Sequence, residues 1–278
     1  MNKSILRAAK SNIILVVSSY KILFIFVVAC IMPLNSIYQL RFIGQFSDLT
    51  VFDGMIYEFG LFTIHYLIFV PCCIFVIYDL VKPNLIDNFV FSRISGRKGL
   101  FISKMLSCVI MSLILLCIMG LISFVTLSFN FQVDIRWGSG MLLNQSYNES
   151  LINHSLINCS PLFVLSYQFL LVLLSLISTS WLLLLFMEVI KRKSFALVAT
   201  MLLNFLILVL SKENGADRIV LPCANTFISN VDISQNGCLA IIRPIVYWVI
   251  IGGLIFLINR AVLSRKDFLY EDSPEAES

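Results

Sequence analysis

Two histidines and eight cysteines are the side chains with which this chain of 278 residues could build a catalytic or metal centre. The sequence contains no H-E-x-x-H, no G-x-S-x-G and no clustered Cys/His pattern, so neither a zinc site nor a Ser-His catalytic centre is indicated. It also lacks the G-x-x-x-x-G-K-[ST] phosphate loop, without which it cannot hydrolyse ATP by the Walker route. We therefore expect no enzymatic activity, no metal and no cofactor on this chain.

A few polar side chains lie within long apolar stretches, where they are costly and therefore functional candidates. His65 suggests a proton relay or a ligand site, and the simpler alternative is a neutral histidine that is hydrogen-bonded inside a helix bundle. Ser175, Ser178 and Thr179 share one face of a helix, where small hydroxyls allow close helix packing. These three residues, together with His65 and Asn204, form a candidate substrate path. The alternative for the hydroxyls and for Asn204 is helix contact.

Six apolar stretches must position these side chains, and each is about as long as the roughly 20 residues that a helix needs to cross a hydrocarbon core. They are Ile22–Leu40, Leu61–Val81, Phe101–Ser128, Pro161–Phe186, Ser194–Ser211 and Ile241–Asn259. The sequence therefore predicts an all-α polytopic membrane protein with six transmembrane helices, built as one domain over residues 1–278.

Lysine and arginine are confined mainly to alternate gaps between these stretches, and such residues mark the cytoplasmic side. Fifteen of the 20 basic residues fall on one side: Lys3, Arg7, Lys10, Lys21, Lys82, Arg93, Arg97, Lys98, Lys104, Lys191, Arg192, Lys193, Arg260, Arg265 and Lys266. We therefore expect both termini to be cytoplasmic. At the cytoplasmic end of the second stretch, Asp79 precedes Lys82 by three residues, a spacing that predicts a local ion pair.

The composition excludes a water-soluble protein, because 59% of the residues are hydrophobic and only 13% are charged. Soluble domains have roughly 25% charged residues. The topology accounts for the net charge of +4, so nucleic-acid binding is not supported, and the expected surroundings are a lipid bilayer.

The first 20 residues mix basic and apolar side chains, which predicts an interfacial helix at the cytoplasmic surface. The alternative is that they begin one long, tilted first helix. A cleaved signal peptide is disfavoured, because the apolar run is longer than an h-region and Pro33-Leu34-Asn35 offers no cleavage site.

The cytoplasmic loop 82–100 is the most informative connection. Pro83 ends the second stretch, and Asn84–Lys98 places apolar residues at helical spacing before a basic cluster. This pattern predicts a short amphipathic helix parallel to the membrane that faces a cytoplasmic partner. The alternative is a basic loop that only enforces topology.

The external loops differ in kind, and the cytoplasmic tail spans 262–278. Arg41–Gly60 is expected to lie along the membrane interface. Loop 129–160 carries four Asn-x-Ser sequons, at Asn144, Asn148, Asn153 and Asn158, which are either glycosylation acceptors or a polar surface. Loop 212–240 could hold short helices that dip back toward the membrane, or it could be an ordinary surface loop, and it contains Cys223 and Cys238. These two cysteines either form a disulfide or remain free thiols.

The whole chain resembles the membrane (permease) subunits of the type 2 family of ATP-binding-cassette (ABC) exporters. The resemblance rests on six spans with both ends inside, on the basic N-terminal segment, and on two cytoplasmic sequences. These are Phe91-Ser92-Arg93-Ile94-Ser95-Gly96-Arg97-Lys98-Gly99-Leu100-Phe101-Ile102-Ser103-Lys104 and Ile258-Asn259-Arg260-Ala261-Val262-Leu263-Ser264-Arg265-Lys266-Asp267-Phe268. The long external loop 129–160 departs from the compact connection of the simplest members, which leaves the substrate open.

The resemblance implies a non-catalytic subunit in the plasma membrane of a bacterium. It implies that the first cytoplasmic loop docks on an ABC ATPase, present in two copies, which binds the ATP and magnesium. The docking residues would be Asn84, Asp87, Phe89, Phe91, Arg93, Arg97 and Lys98. Arg218–Cys238 would be a re-entrant region, and a second permease subunit, identical or not, would complete the transporter. The alternative is a stand-alone membrane protein without an ATPase, such as an accessory or sensor subunit or a carrier.

Overall fold

The computed structural model describes residues 3–43, 49–61, 64–81, 97–138, 154–190, 192–213, 222–231, 233 and 237–265. Within these ranges the chain forms eight α-helices and no β-strand. They are α1 (Lys3–Val17), α2 (Lys21–Ile43), α3 (Val51–Gly60), α4 (Val70–Val81), α5 (Arg97–Ser128), α6 (Pro161–Val189), α7 (Lys193–Glu213) and α8 (Cys238–Arg265). A π-helical turn, His65–Phe69, leads into α4, and three short 3₁₀ turns occur at His154–Leu156, Pro222–Asn225 and Ile228–Asn230.

The fold class is confirmed: the chain is an all-α polytopic membrane protein. Five helices, α2, α5, α6, α7 and α8, are each long and apolar enough to cross a membrane. A sixth span exists if α3 and the helix His65–Val81, whose axes differ by 67°, count as one broken span. Local signals fix some ends, since Pro161 opens α6 and the Ser160 hydroxyl caps it by accepting from the Phe163 N–H at 3.3 Å.

The segment Arg41–Gly60, which precedes the second predicted span, was expected to lie along the membrane interface. The structure differs from this expectation over part of the segment. Its Val51–Gly60 part is the helix α3, which is buried along nearly its whole length. Thr50 and Asp53 start this helix with a capping box, in which each side chain accepts from the other residue's backbone N–H. The expectation of an interfacial loop is therefore wrong for this part.

The N-terminal segment is a separate helix, so the alternative of one long first helix is wrong. α1 ends at Val17, three residues follow, and α2 begins at Lys21. One face of α1 is buried against α5 and α4. The buried residues recur at helical spacing: Ile5, Ala8, Ala9, Asn12 and Val16. α1 thus packs on protein as well as carrying the basic residues expected at a membrane surface.

The helix α6 is the centre of the bundle, because it contacts α3, α4, α5, α7 and α8. Small residues allow this close packing. A Cβ added at Gly120 of α5 would lie 3.2 Å from the Phe169 ring, and one at Gly252 would lie 3.4 Å from the Ser178 hydroxyl. Gly253 has open space within 4 Å instead. Gly120 and Gly252 therefore lie where a neighbouring side chain packs closely, whereas Gly253 does not.

The orientation of this bundle leads to the first testable prediction. Because basic residues resist translocation, single cysteines at Ser95, Lys193 and Glu275 should react only from the cytoplasmic side. Cysteines at Asn144 and Asn236 should react from outside with a membrane-impermeant maleimide on intact cells. If positions 95 and 144 were labelled from the same side, the six-span topology would be wrong.

Candidate functional site

The side-chain amide of Gln168 in α6 joins two segments that are far apart in the sequence. Its Nε2 donates to the Phe59 carbonyl of α3 at 3.1 Å and to the Thr226 carbonyl at 3.2 Å. Its Oε1 accepts from the Ile228 N–H at 3.1 Å. Gln168 is fully buried, at 0% exposure. Every one of these bonds therefore forms away from water, where a lost partner is expensive.

The segment 222–231 folds back into the bundle as two 3₁₀ turns. Its residues Ala224 through Ile228 are all buried. Side chains from the helices satisfy its backbone, since the Trp248 indole donates to the Asn225 carbonyl at 2.8 Å and Gln168 binds Thr226 and Ile228. Irregular backbone at membrane depth is tolerated only when protein or water satisfies it in this way. The described part of loop 212–240 thus contains two short 3₁₀ turns packed against the helices, and a position of these turns within the membrane stays a prediction.

Tyr66 ties the same segment to the broken second span. Its hydroxyl lies 3.1 Å from the Thr226 hydroxyl, which in turn donates to the Pro222 carbonyl at 2.7 Å. Tyr66 lies in the π-helical turn, and such turns occur frequently at functional sites. The end of α3, the π-helical turn and segment 222–231 therefore meet at one place beside α6, which we call the junction.

His65 lies in the junction, enclosed by aromatic rings. Its ring centroid is 4.9 Å from Tyr66, 5.6 Å from Phe69 and 5.3 Å from Phe227. The side chain is buried, and within the described structure its Nε2 has no hydrogen-bond partner. In this conformation His65 is therefore closed off from solvent rather than open to a passage. Its role in a substrate path stays a prediction.

The other predicted path residues lie on α6 and α7. Ser178 faces α8, where Gly252 leaves room for it, and the Thr179 hydroxyl donates to the Ser175 carbonyl at 2.8 Å. Asn204 is buried, and its amide donates to the Thr200 carbonyl one turn earlier at 2.8 Å. Ser178 thus makes a contact between helices, whereas the Thr179 hydroxyl bonds within its own helix. A substrate path along these residues remains untested.

Two buried carboxylates lie on α3, and the sequence analysis did not single them out. Glu58, 1% exposed, accepts from the Ser123 hydroxyl of α5 at 2.8 Å. Asp53 accepts from the N–H groups of Thr50 and Gly138, each at 2.9 Å. Asp53 thereby fixes the start of α3 to the beginning of loop 129–160. Among the described residues, no group of three His, Cys, Asp or Glu side chains could hold a metal ion.

The predicted docking residues Asn84, Asp87, Phe89, Phe91 and Arg93 lie outside the described residues, as do the side chains of Arg97 and Lys98 at the start of α5. The structure does describe the helix ends on either side of them. The Lys104 ammonium donates to the Val81 carbonyl at the end of α4 at 3.1 Å. The ammonium of Lys21 forms an ion pair with Asp79 at 2.7 Å and lies 4.3 Å from the Phe75 ring centroid.

Asp79 thus has a partner on α2 that the sequence did not indicate. The predicted local pair of Asp79 with Lys82 stays a prediction, because Lys82 lies outside the described residues. A third contact joins α5 to α1, where the Ser107 hydroxyl lies 3.5 Å from the Ala9 carbonyl while it donates to the Ser103 carbonyl of its own helix at 2.8 Å. We call these three contacts the cytoplasmic ties. They connect α1, α2, α4 and α5.

Of the two cysteines in the predicted disulfide, only Cys238 has a described side chain. Cys238 is exposed at the start of α8 and is not bonded to another described cysteine. The side chain of Cys223 lies outside the described residues. A Cys223–Cys238 bridge therefore stays a prediction, with non-reducing peptide mapping as its measurement.

The sequence contained a signal for the most important residue that was missed. Gln168 is an amide in the middle of an apolar stretch, which is a reason to expect a specific partner.

No family model, no curated protein and no solved structure matches this chain. Its function must therefore be argued from its own residues and fold.

Proposed function

We propose that the chain is the transmembrane subunit of an ATP-binding-cassette exporter, which moves an amphipathic substrate outward. A separate ATPase subunit, present in two copies, supplies the energy, and a second permease subunit completes the passage. The observation that supports this most directly is the set of cytoplasmic ties around segment 82–96.

The cytoplasmic ties make the helices next to this segment respond together. Segment 82–96 connects α4 to α5, and Lys104 links the last turn of α4 directly to α5. Lys21 links α4 to α2, and α5 packs along α1, where Ser107 lies close to the Ala9 carbonyl. A push on segment 82–96 would therefore be carried to four helices instead of being absorbed in one loop. This is the mechanical property that a coupling element needs.

The buried polar groups on α6 and α7 favour an amphipathic substrate such as a peptide, a drug or a lipid-like molecule. Gln168, Ser175, Ser178 and Asn204 are all neutral. Neutral hydroxyls and amides suit a ligand that has an apolar body and a few hydrogen-bonding groups, whereas small ions need charged or carbonyl-lined sites.

Co-purification tests this proposal directly. The full chain should be co-expressed with a Walker-motif ATPase encoded by a neighbouring gene, and the two should purify together from detergent. ATP hydrolysis by the complex should exceed that of the isolated ATPase. If the chain purified alone and left the hydrolysis rate unchanged, a stand-alone membrane protein would be the better interpretation.

A further inference from the structure

We propose that Gln168 is a latch that holds segment 222–231 and the end of α3 closed at the junction. Opening would begin with a joint release of its three hydrogen bonds. By the distribution of basic residues, this is the outward side of the bundle. The latch does not depend on the source of energy, so it goes beyond the proposed exporter function and can be tested without an ATPase.

The backbone at the junction is suited to open without unfolding the bundle. Segment 222–231 contains two 3₁₀ turns of four and three residues, which satisfy few of their own backbone groups. Among its described hydrogen bonds to the helices are single side-chain contacts from Gln168, Tyr66 and Trp248, and Phe227, Ile228 and Val231 add apolar packing against the bundle. Releasing these contacts leaves the hydrogen bonds inside α5 and α6 intact. Local opening is therefore far easier than separating two helices.

The latch couples its two segments because one nitrogen serves both. The Gln168 Nε2 donates to the Phe59 carbonyl and to the Thr226 carbonyl, so a rotation of this amide breaks both bonds together. The same rotation moves Oε1 away from the Ile228 N–H. The end of α3 and segment 222–231 should therefore be released as one unit.

Opening would uncover the aromatic enclosure of His65. Phe227 belongs to segment 222–231 and covers His65 from one side, whereas Tyr66 and Phe69 are held on the second span. Once Phe227 is withdrawn, two aromatic rings and an imidazole nitrogen without a partner would face the opening. Such a surface matches an apolar ligand that carries a hydrogen-bonding group.

The test measures how fast a buried cysteine in the segment reacts. Val231 is 2% exposed, and Val231→Cys gives a reporter of nearly the same size. In lipid nanodiscs, where both faces are accessible, a soluble maleimide should label Cys at 231 slowly. Adding Gln168→Met removes three buried hydrogen bonds with little change in volume. It should raise the labelling rate at 231 by roughly ten- to hundredfold.

A matched control and an internal reporter sharpen this result. Gln39→Met removes the acceptor of the Tyr57 hydroxyl, a contact that also binds α3 but does not reach segment 222–231. Gln39→Met should leave the labelling rate at position 231 within about twofold of the parent, whereas Gln168→Met should raise it well beyond that. A second reporter, Ala224→Cys, should accelerate by the same factor as Val231→Cys if the segment opens as one unit. An unchanged rate in Gln168→Met, or an equal rise in Gln39→Met, would overturn the latch.

General unfolding is detected by Cys73, which is completely buried in α4. If Gln168→Met also made Cys73 reactive, the variant Tyr66→Phe would be measured in its place. Tyr66→Phe removes only the hydroxyl that contacts Thr226. That variant should raise the rate at 231 by about fivefold, the effect of one buried neutral hydrogen bond, with Cys73 still protected. No rise at 231 in Tyr66→Phe would then reject the proposal.

Discussion

Replacing Phe89 and Phe91 together with alanine should abolish ATP hydrolysis that is linked to transport and should leave membrane insertion intact. Segment 82–96 joins the tied ends of α4 and α5, so it is the place where an ATPase could move four helices at once. Interface energy concentrates in a few buried anchors, and the loss of an aromatic anchor costs about 2 kcal/mol or more. Two such losses would weaken docking by about a thousandfold.

The matched control for this prediction is Arg97→Gln. A charge at the rim of an interface contributes mainly to the rate of association, so this change should lower coupled hydrolysis by no more than about threefold. Both variants should be compared with the parent for membrane yield, co-purification with the ATPase and hydrolysis in the complex. If the double alanine variant still bound the ATPase and hydrolysed ATP normally, segment 82–96 would not be the coupling element.

The long spans could be predicted from the sequence because length and hydropathy alone define them. α6 begins at Pro161 and α5 ends at Ser128, at the residues that the apolar stretches predicted. α1 was expected as an interfacial helix, and its separation from α2 agrees with that expectation. These elements depend on local composition and on helix start signals, both of which can be read within a window of about 20 residues.

The structure of α3 could not be predicted in the same way. The sequence predicted only that the moderately apolar segment Arg41–Gly60 lies along the interface, and it did not indicate a role for Asp53 or Glu58. The partners of Asp53 and Glu58 are Gly138 and Ser123, which lie 85 and 65 residues away in the sequence. Such contacts are set by the packing of whole helices. The start of α3 could nevertheless have been found in the sequence, because Thr50 followed by Asp53 forms a capping box before an apolar run.

In the candidate site, too, the sequence indicated individual polar residues but not the distant residues that they contact. The polar residues on α6 and the histidine in the second stretch were recognisable as costly groups in an apolar setting. Their arrangement was not, because Gln168 binds residues from α3 and from segment 222–231 that no periodicity brings together. A single buried amide can take three partners, and the sequence does not say which.

Gly252→Leu should be strongly destabilising, while Gly253→Leu should not. A Cβ at position 252 would already lie 3.4 Å from the Ser178 Oγ and 3.7 Å from the Trp181 ring, and leucine adds three further carbons toward them. Trp181 cannot yield freely, because its indole donates to the Met105 carbonyl at 3.3 Å and its own carbonyl accepts from Asn259 at 3.0 Å. Forcing α8 away from α6 should cost about 1–3 kcal/mol, or more.

The neighbouring glycine provides the control, because the change is identical and only the helix face differs. Gly253 is exposed, and a Cβ added there would have no atom within 4 Å, so leucine at this position meets open space. Replacing a helical glycine at such a place should be neutral, or stabilising by up to about 1 kcal/mol. Thermal denaturation in detergent should therefore show a Tm lowered by about 3–10 °C for Gly252→Leu alone. Equal shifts in the two variants would mean that α6 and α8 do not pack through Gly252.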